Sequence, residues 1–507
     1  MRDDSRTSTP AKHIQAGKES TPAASGGSPE AAGTSATLRI IEGPLPRGVF
    51  TLGVPLVVAM ALQATFNLVD MFIIGKLPNG TEALGALVIC DLVAMVPTII
   101  ANGISNASAA IISRRAGEGD SRQVSHYTWQ SLSMTAILSI VFGLLGVVFA
   151  DQLTGGVFGA KGAVRVLATE YMAIIVGGSF TILLLLQVCA VMRALGDGRT
   201  PMFLLLGSNI VNFFLSIVAA FGDGPYPPAF EWLAPVGKAV GLAPMGVAGA
   251  AWSTIISRGA ALFIGTLVLA FNTGSLLHFY LEDLVPTRRA FSRIMKIAWP
   301  NSAQFVLRIG ITLFFMAIIT HKFTSETDST TLTAFGICMR LDTLVLFMGM
   351  GWGAAASTYV GQNLGAGYIR RATQAGWLAA GYNVLFMIII VILYLTFADQ
   401  IISVFDKTPV VLAVGREYIH VIGATYAFLG VAVVLSQALS GAGATLSSFA
   451  IDTLVLLALI VPFTIVMLVF FDLSRLQTWF IIASGNVLSA LAYIAWYRRG
   501  TWVHKQI

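Results

Sequence analysis

Twelve stretches of about 20 predominantly apolar residues divide this chain of 507 residues, and no other feature restricts its fold as much. They fall near 49–75, 84–112, 128–150, 168–192, 201–221, 246–271, 297–321, 331–360, 375–398, 413–437, 447–471 and 477–497. Lipid offers backbone amides no partners, so only helices and closed barrels span it. Barrel strands alternate apolar and polar residues, whereas these runs are continuously apolar. The predicted fold is therefore an all-α polytopic membrane protein with twelve transmembrane helices. Charged residues make up 11% of the chain, against about a quarter in soluble domains. With so few charges, the net +6 reports orientation in the bilayer rather than a nucleic-acid partner.

The loops sort by charge. One side carries Arg114, Arg115, Arg122, Arg193, Arg199, Arg288, Arg289, Arg293, Lys296, Arg370, Arg371, Arg498 and Arg499. The other carries Glu82, Asp151, Asp223, Glu231, Glu326, Asp328, Asp399, Asp406 and Asp472, with scattered bases. The positive-inside rule places the first set and both termini in the cytoplasm, in a plasma (inner) membrane. Residues 1–44 begin with a polar string rich in Ser, Thr, Ala, Gly and Pro, which predicts a disordered cytoplasmic tail. It lacks the short apolar core of a cleaved signal. A six-helix lobe is expected over 45–272, a cytoplasmic linker over 273–296, a second six-helix lobe over 297–498 and a short cytoplasmic tail over 499–507. Cys90, Cys189 and Cys338 all sit in apolar runs without a CxxC pair and read as small core residues rather than disulfides or metal ligands.

The two halves repeat. GISNASAAIISRRAGEGD at 103–120 aligns with GWGAAASTYVGQNLGAGY at 351–368, an offset of 248. GDGRT at 196–200 aligns with GAGAT at 441–445, Glu170-Tyr171 with Glu417-Tyr418, and Pro55 with Pro300. Six spans per repeat is an even number, so both lobes share one orientation and are related by a pseudo-two-fold axis along the membrane normal. The glycine-rich loops lack the strand setting and Lys-Ser/Thr of a phosphate-binding loop. They predict tight connections between helices. The sequon NGT at 79–81 lies in a loop on the acidic side.

An ionisable group at membrane depth costs about 2.5–3.5 kcal/mol on insertion scales, so it usually has a task or a partner. Asp70 shares one helix face with Gln63 and Asn67 at spacing i, i+4, i+7. The fifth span carries Asn209, Asn212 and Ser216 on one face, and the sixth brings Thr254 to similar depth. With Asp91 of the second span, these side chains are expected to converge in the outer half of the first lobe. Oxygen ligands from several helices suit a proton or a hard cation. The rival reading is helix-to-helix glue. In the second lobe Asp342 has Arg340 nearby in sequence, and Arg308 lies midway along the seventh span. An Arg308–Asp342 or Arg340–Asp342 ion pair and a direct role with ion or cargo are both open. Arg258 shares a face with Thr254 and could pair with Asp70 or Asp91. Phe66, Phe72, Phe213, Phe214, Met60 and Met350 would suit a cleft for flat organic cations, or ordinary packing.

Taken together, PLVVAMALQATFNLVDMFIIGKL, EALGAL, the loop ending GEGD, MRALGDGRTPM, GVAGAAWST and the second-half echoes GWGAAASTYVGQNLGAG and LSGAGAT resemble the multidrug and toxic compound extrusion (MATE) family over about 45–498. The resemblance implies export of small organic cations in exchange for H⁺ or Na⁺ by a monomer in the bilayer, with no organic cofactor and no resident metal. In one branch of the family an Asp on the first span centres the cation site, and Asp70 matches it. Asn212 and Thr254 match two further positions, while Ser216 stands where an Asp is common. Another branch uses a Glu on the seventh span and an Asp on the tenth. Arg308 falls near the first of these positions, and TYAFLGVAVVLSQ at 425–437 has no acid, so coupling is expected to run through the first lobe. Aligning Pro55 with Pro300 puts Phe315 where Asp70 stands. The alternative is a flippase of lipid-linked precursors or polysaccharides, which would need several of Arg258, Arg308 and Arg340 around one cleft. An enzyme is not expected, because His13, His126, His278, His321, His420 and His504 are scattered.

Overall fold

A computed structural model describes residues 35–271, 277, 278, 280–325 and 328–505 of the chain. The side chain of Asn67, residues 1–34 of the expected tail and Glu326 lie outside the described residues. In chain order the helices are α1 (Ser35–Ile41), α2 (Leu45–Ile74), α3 (Gly80–Gly117), α4 (Ser121–Val148), α5 (Gly162–Gly177), α6 (Ser179–Ala194), α7 (Arg199–Phe221), α8 (Ala234–Val240) and α9 (Gly246–Phe271). They continue as α10 (Arg288–Phe323), α11 (Thr330–Gly365), α12 (Ile369–Thr396), α13 (Ala398–Ser403), α14 (Pro409–Val421), α15 (Tyr426–Gly441), α16 (Thr445–Asp452), α17 (Val461–Phe470) and α18 (Arg475–Arg499). No strand occurs among the described residues.

Among the described residues eleven spans are long and apolar enough to cross a bilayer, and α5 with α6, bent by 40° at Gly178, makes the twelfth. The tenth span is α14 plus α15, joined by a 3₁₀ turn at Gly423–Thr425, and the eleventh joins α16 to α17 through a π-helical stretch. Spans one to six form one lobe and seven to twelve the other. The chain crosses alternately between a face rich in arginine, which holds both described ends, and a face rich in acids. These are called the basic and acidic faces below.

Local chemistry explains the turns. The Asp120 side chain accepts from the Gln123 amide to start α4, Thr287 does the same for α10, and Ser474 with Gln477 forms a capping box on α18. Gly119 and Gly367, repeat-related, hold φ of 76° and 81° in the connections α3–α4 and α11–α12. A side chain would strain that left-handed backbone, so these glycines serve sharp turns.

The lobes meet in the basic half of the molecule. Val49, Leu52, Leu56 and Val57 of α2 join Trp352, Ala355, Ala356 and Tyr359 of α11 in one core. The contact repeats across the pseudo-two-fold axis. A Cβ built on Gly117 would stand 2.0 Å from the Gln362 carbonyl oxygen, and one on Gly365 would stand 2.0 Å from that of Arg114. Likewise Gly103 faces Ser302 of α10, and Gly351 faces Val57 of α2. Gln362 and Thr358 donate to the backbone oxygens of Ala194 (2.8 Å) and Arg193 (2.9 Å) across the same contact. Two lobes pressed backbone to backbone at one face make a seal.

Three boundaries differ from the sequence reading. Residues 35–41, expected as disordered tail, are helical. Thr37 and Ile40 are buried, and Arg371 donates to the backbone oxygens of Ile40 and Gly43. The expected linker ends early, because α10 already starts at Arg288. Its part over 280–287 lies against α4, where Gln130 donates to the Asp283 and Val285 oxygens at 2.8 and 2.7 Å. The expected tail after 498 folds into a turn at Thr501–His504 whose Trp502 is buried and stacks on Tyr497. In each case a single large apolar side chain or a few backbone bonds outweigh a polar neighbourhood.

Candidate functional site

Asp70 sits one turn from the acidic end of α2 and is only 4% exposed. The Thr254 hydroxyl of α9 lies 3.0 Å from Asp70 Oδ2 and 3.1 Å from the Ala250 backbone oxygen, and its one hydrogen serves either acceptor. Asn212 of α7 spends its two amide hydrogens on Thr254 Oγ1 (3.1 Å) and Ser216 Oγ (3.2 Å). Among the described residues two acceptors of the cluster are then left buried without a hydrogen-bond partner, Asp70 Oδ1 and Asn212 Oδ1. A buried acceptor without a donor is destabilising, and a proton or a small cation would satisfy both atoms. The donor set is all oxygen with one formal charge, which fits a monovalent hard cation or H⁺.

The structure brings four of the five expected ligands together. Asp91 is the exception. It is exposed on α3 and has no hydrogen bond or ion pair among the described residues, although it is near enough to act electrostatically on both Asp70 and Arg258. Helix rotation decides this: Cys90 beside it is buried, and Val88 and Leu92 are exposed. Arg258 makes no ion pair with Asp70 or Asp91 among the described residues. Its guanidinium stacks 4.0 Å from the centre of the Phe66 ring and interacts with both carboxylates at longer range. Gln63 is half-buried and makes no hydrogen bond among the described residues, while the neighbouring Asn209 donates to the Leu62 oxygen at 3.0 Å. Tyr171, fully buried on α5, interacts with Asp70 and Asp91. It entered the sequence reading only as a repeat marker.

The second lobe is built differently. Neither Arg308–Asp342 nor Arg340–Asp342 pairs. Arg340 is exposed. Arg308 Nε instead donates to Asp452 Oδ2 at 2.7 Å. Gln304 donates to the same oxygen at 2.8 Å, and Tyr493 donates to Oδ1 at 2.9 Å, so the 0%-exposed Asp452 has donors on both oxygens. Asp452 is missing from the candidates above. Yet it interrupts the apolar run 447–471 as Asp70 interrupts its own, and that signal would have found it. Asp342 accepts from Tyr418 at 2.6 Å on one oxygen and from Tyr426 on the other, with no cation in contact among the described residues.

Between these groups lies a cavity of ≈ 430 Å³. Arg308, Asp342, Tyr418, Phe305, Met339 and Met350 are among the residues that line it. Its charge follows from the pairing. Arg308, with 26% of its side chain exposed, is neutralised by Asp452 behind it, which leaves Asp342 as the unopposed charge on a wall of apolar, aromatic and thioether groups that also carries neutral polar side chains such as Asn301, Gln304, Gln437 and Asn486. The other sequence-marked apolar groups stay outside it: Met60 and Phe66 are buried elsewhere, while Phe72 and Phe214 are exposed.

A model of the MatE family matches residues 55–218 and 309–470. Among curated proteins, the chain is 27% identical to an FAD transporter of Shewanella oneidensis, over 83% of this chain and 88% of that one. It is 25% identical to a probable multidrug resistance protein of Bacillus subtilis (91% and 96%) and 22% identical to one of Thermotoga maritima (90% and 93%). Among solved structures, an outward-facing multidrug resistance MATE transporter superposes with a TM-score of 0.81 at 20% identity, covering 93% of this chain and all of that one. A MATE structure in a bent conformation gives 0.79.

Proposed function

The chain belongs to the MATE family of membrane transporters and is not an enzyme, and from that premise we propose that it is a secondary active multidrug exporter, exchanging H⁺ or Na⁺ for small organic cations. The basic face is cytoplasmic by the positive-inside rule, in a plasma (inner) membrane with both termini inside, and the protein works as a monomer. The observation that carries the reading is the buried Asp70 oxygen left without a donor inside an oxygen-lined cluster from three spans.

The working cycle follows from which helix bears which contact. A cation arriving from the acidic face binds Asp70 Oδ1 and Asn212 Oδ1. Asp70 lies on α2, and 13 residues earlier, about 20 Å along the helix, Val57 of the same helix presses on Gly351 in the seal. An ion that binds one arrangement of α2 better than another therefore shifts the seal as well, and only such differential binding can drive exchange. Pro55 removes one backbone hydrogen bond near the seal, which gives α2 a place to flex. Asp342 attracts the organic cation, and the aromatic and methionine wall supplies its apolar contacts.

The charge pattern separates this reading from two others. A flippase of phosphate-bearing lipids needs several cations in one cleft. Here Arg308 alone lines the cavity and is paired, Arg258 stacks on Phe66, and Arg340 lies elsewhere. The relative described as an FAD transporter raises an anionic aromatic cargo, which the unopposed Asp342 disfavours. Efflux of ethidium from vesicles under an imposed pH or Na⁺ gradient tests the proposal. Wild-type protein should respond to one gradient, and Asp70→Asn should lose that response by about 100-fold, the upper part of typical coupling strengths. Equal gradient-driven efflux in both proteins refutes it.

A further inference from the structure

The tenth span is interrupted just where Asp342 grips it. Tyr418 belongs to α14, before the 3₁₀ turn at Gly423–Thr425, and Tyr426 is the first residue of α15 after it. One carboxylate thus holds both halves of the span, one oxygen to each. Of the two tyrosines only Tyr418 lines the cavity. The turn itself is also tied to the cavity wall: Asn486 of α18, a lining residue, donates to Thr425 Oγ1 at 2.9 Å. A 3₁₀ stretch inside a longer helix often marks a hinge.

We propose that Asp342, through Tyr418 and Tyr426 as positioning residues, makes the 3₁₀ turn of the tenth span a hinge that reads whether the second-lobe cavity holds a cation. This rests on the reading of that cavity as the cargo site. A monocation beside Asp342 draws on the carboxylate from the cavity side, where Tyr418 is bonded, and weakens that tie more than the tie to Tyr426. The two halves of the span are then held unequally, and the turn between them takes up the difference.

Two observations outside the cavity support a second arrangement of this span. The matching span of the first lobe is bent by 40° at Gly178, the position that aligns with Gly423 at the GDGRT–GAGAT offset of 245, so interruption here is a feature of both repeats. Asn383 of α12 is fully buried, and neither of its amide atoms has a hydrogen-bond partner among the described residues. It lies against α15 at Gly430, where a Cβ would stand 2.1 Å from its Nδ2. An unbonded buried amide is a stored penalty, which a shifted α15 could relieve.

Tetraphenylphosphonium, a permanent monocation, is the probe. Amide hydrogen exchange over 421–427 in wild-type protein should change by about 5-fold or more on saturation with it, the lower end of measured couplings between sites. Tyr426→Phe should keep the probe's affinity within about 3-fold, because Tyr426 does not line the cavity, yet lose the exchange response and lower maximal efflux by about 5-fold or more. Asp342→Asn should lose affinity by about 10-fold or more, as expected for removal of a charged partner. If the probe binds in an Asp342-dependent way but exchange over 421–427 does not change, the hinge is refuted and the cargo site stands. A response that persists in Tyr426→Phe refutes it equally. If affinity is indifferent to Asp342→Asn, the cargo site and the hinge fall together. Should either variant fail to fold, the wild-type comparison with and without probe still decides.

Discussion

In the first lobe a buried carboxylate keeps one oxygen without a donor, whereas in the second lobe Asp452 receives donors on both and Asp342 a tyrosine on each. The lobes share a fold, an offset and a proline in the leading helix, yet they treat buried charge in opposite ways. An unsatisfied carboxylate can change its ligand, while a saturated one fixes the groups around it. On the proposed reading, the first lobe exchanges the ion, while the second holds a shaped cavity whose ties change only when a cation draws on Asp342. Phe315, which aligns with Asp70 through the prolines, is buried in an apolar cluster of the second lobe and is consistent with that division.

The sharpest way to break the comparison is to remove Asp452. Truncating one partner of a buried ion pair strands the other, and the cost is about 3–5 kcal/mol. Asp452→Ala should lower thermal stability in detergent by that order, whereas Arg308→Met combined with Asp452→Leu should recover most of it, since apolar residues can replace a buried pair. Gradient-driven efflux should survive in the double variant. If stability is recovered but ion coupling is lost, Asp452 is a coupling group and the contrast between the lobes is wrong.

A middle-sized effect tests what the lobes share. Gly117→Ala and Gly365→Ala each push a methyl group into a backbone carbonyl of the opposite lobe, and overpacking of this kind costs about 1–3 kcal/mol. Both should loosen the sealed arrangement. Labelling by maleimide from the basic side, at a cysteine introduced as Val57→Cys, should rise by similar factors in the two variants. A rise in only one would show that the pseudo-two-fold contact bears load on one side alone.

How much of this could be read from residues alone follows from the range of each signal. Spans were legible because about 20 apolar residues are a local property. The repeat was legible because helix turns demand glycine at fixed places, such as Gly119 and Gly367. The cluster of Asp70, Asn212, Ser216 and Thr254 was legible because each residue is a polar exception on its own helix. Asp91 looks the same in sequence as Asp70, but burial depends on how a helix is rotated against its neighbours. The partner of Arg308 lies 144 residues away, so proximity in sequence suggested Asp342 instead. The docked ends are short: α1 offers Leu38, Ile40 and Ile41, and the C-terminal turn Trp502 and Val503, too few residues for a periodic pattern.

The smallest predicted effect concerns the third and ninth spans, α4 and α12, which the repeat also relates. At the basic face α12 receives the chain's first described helix through Arg371, whereas α4 receives the connection between the lobes. There Asp283 is buried, bonded to Arg122 and 2.7 Å from His126 Nδ1. Burial pushes the Asp283 carboxyl up, but the hydrogen bonds from Arg122 and His126 outweigh it and hold the group below the ordinary carboxylate range. A folded value below the unfolded one means that ionised Asp283 favours docking. That contribution is complete above about pH 4 and is lost as the pH falls below it through the depressed value. Hydrogen exchange over 280–287, taken relative to the intrinsic amide rate at each pH, should therefore be slow at neutral pH and rise on acidification, by an amount corresponding to about 1 kcal/mol. In Asp283→Asn it should be raised at neutral pH and insensitive to acid, while exchange at 35–41 stays unchanged. If both segments respond to acid alike, the two lobes are strapped by the same means, and the linker has no anchor of its own on the first lobe.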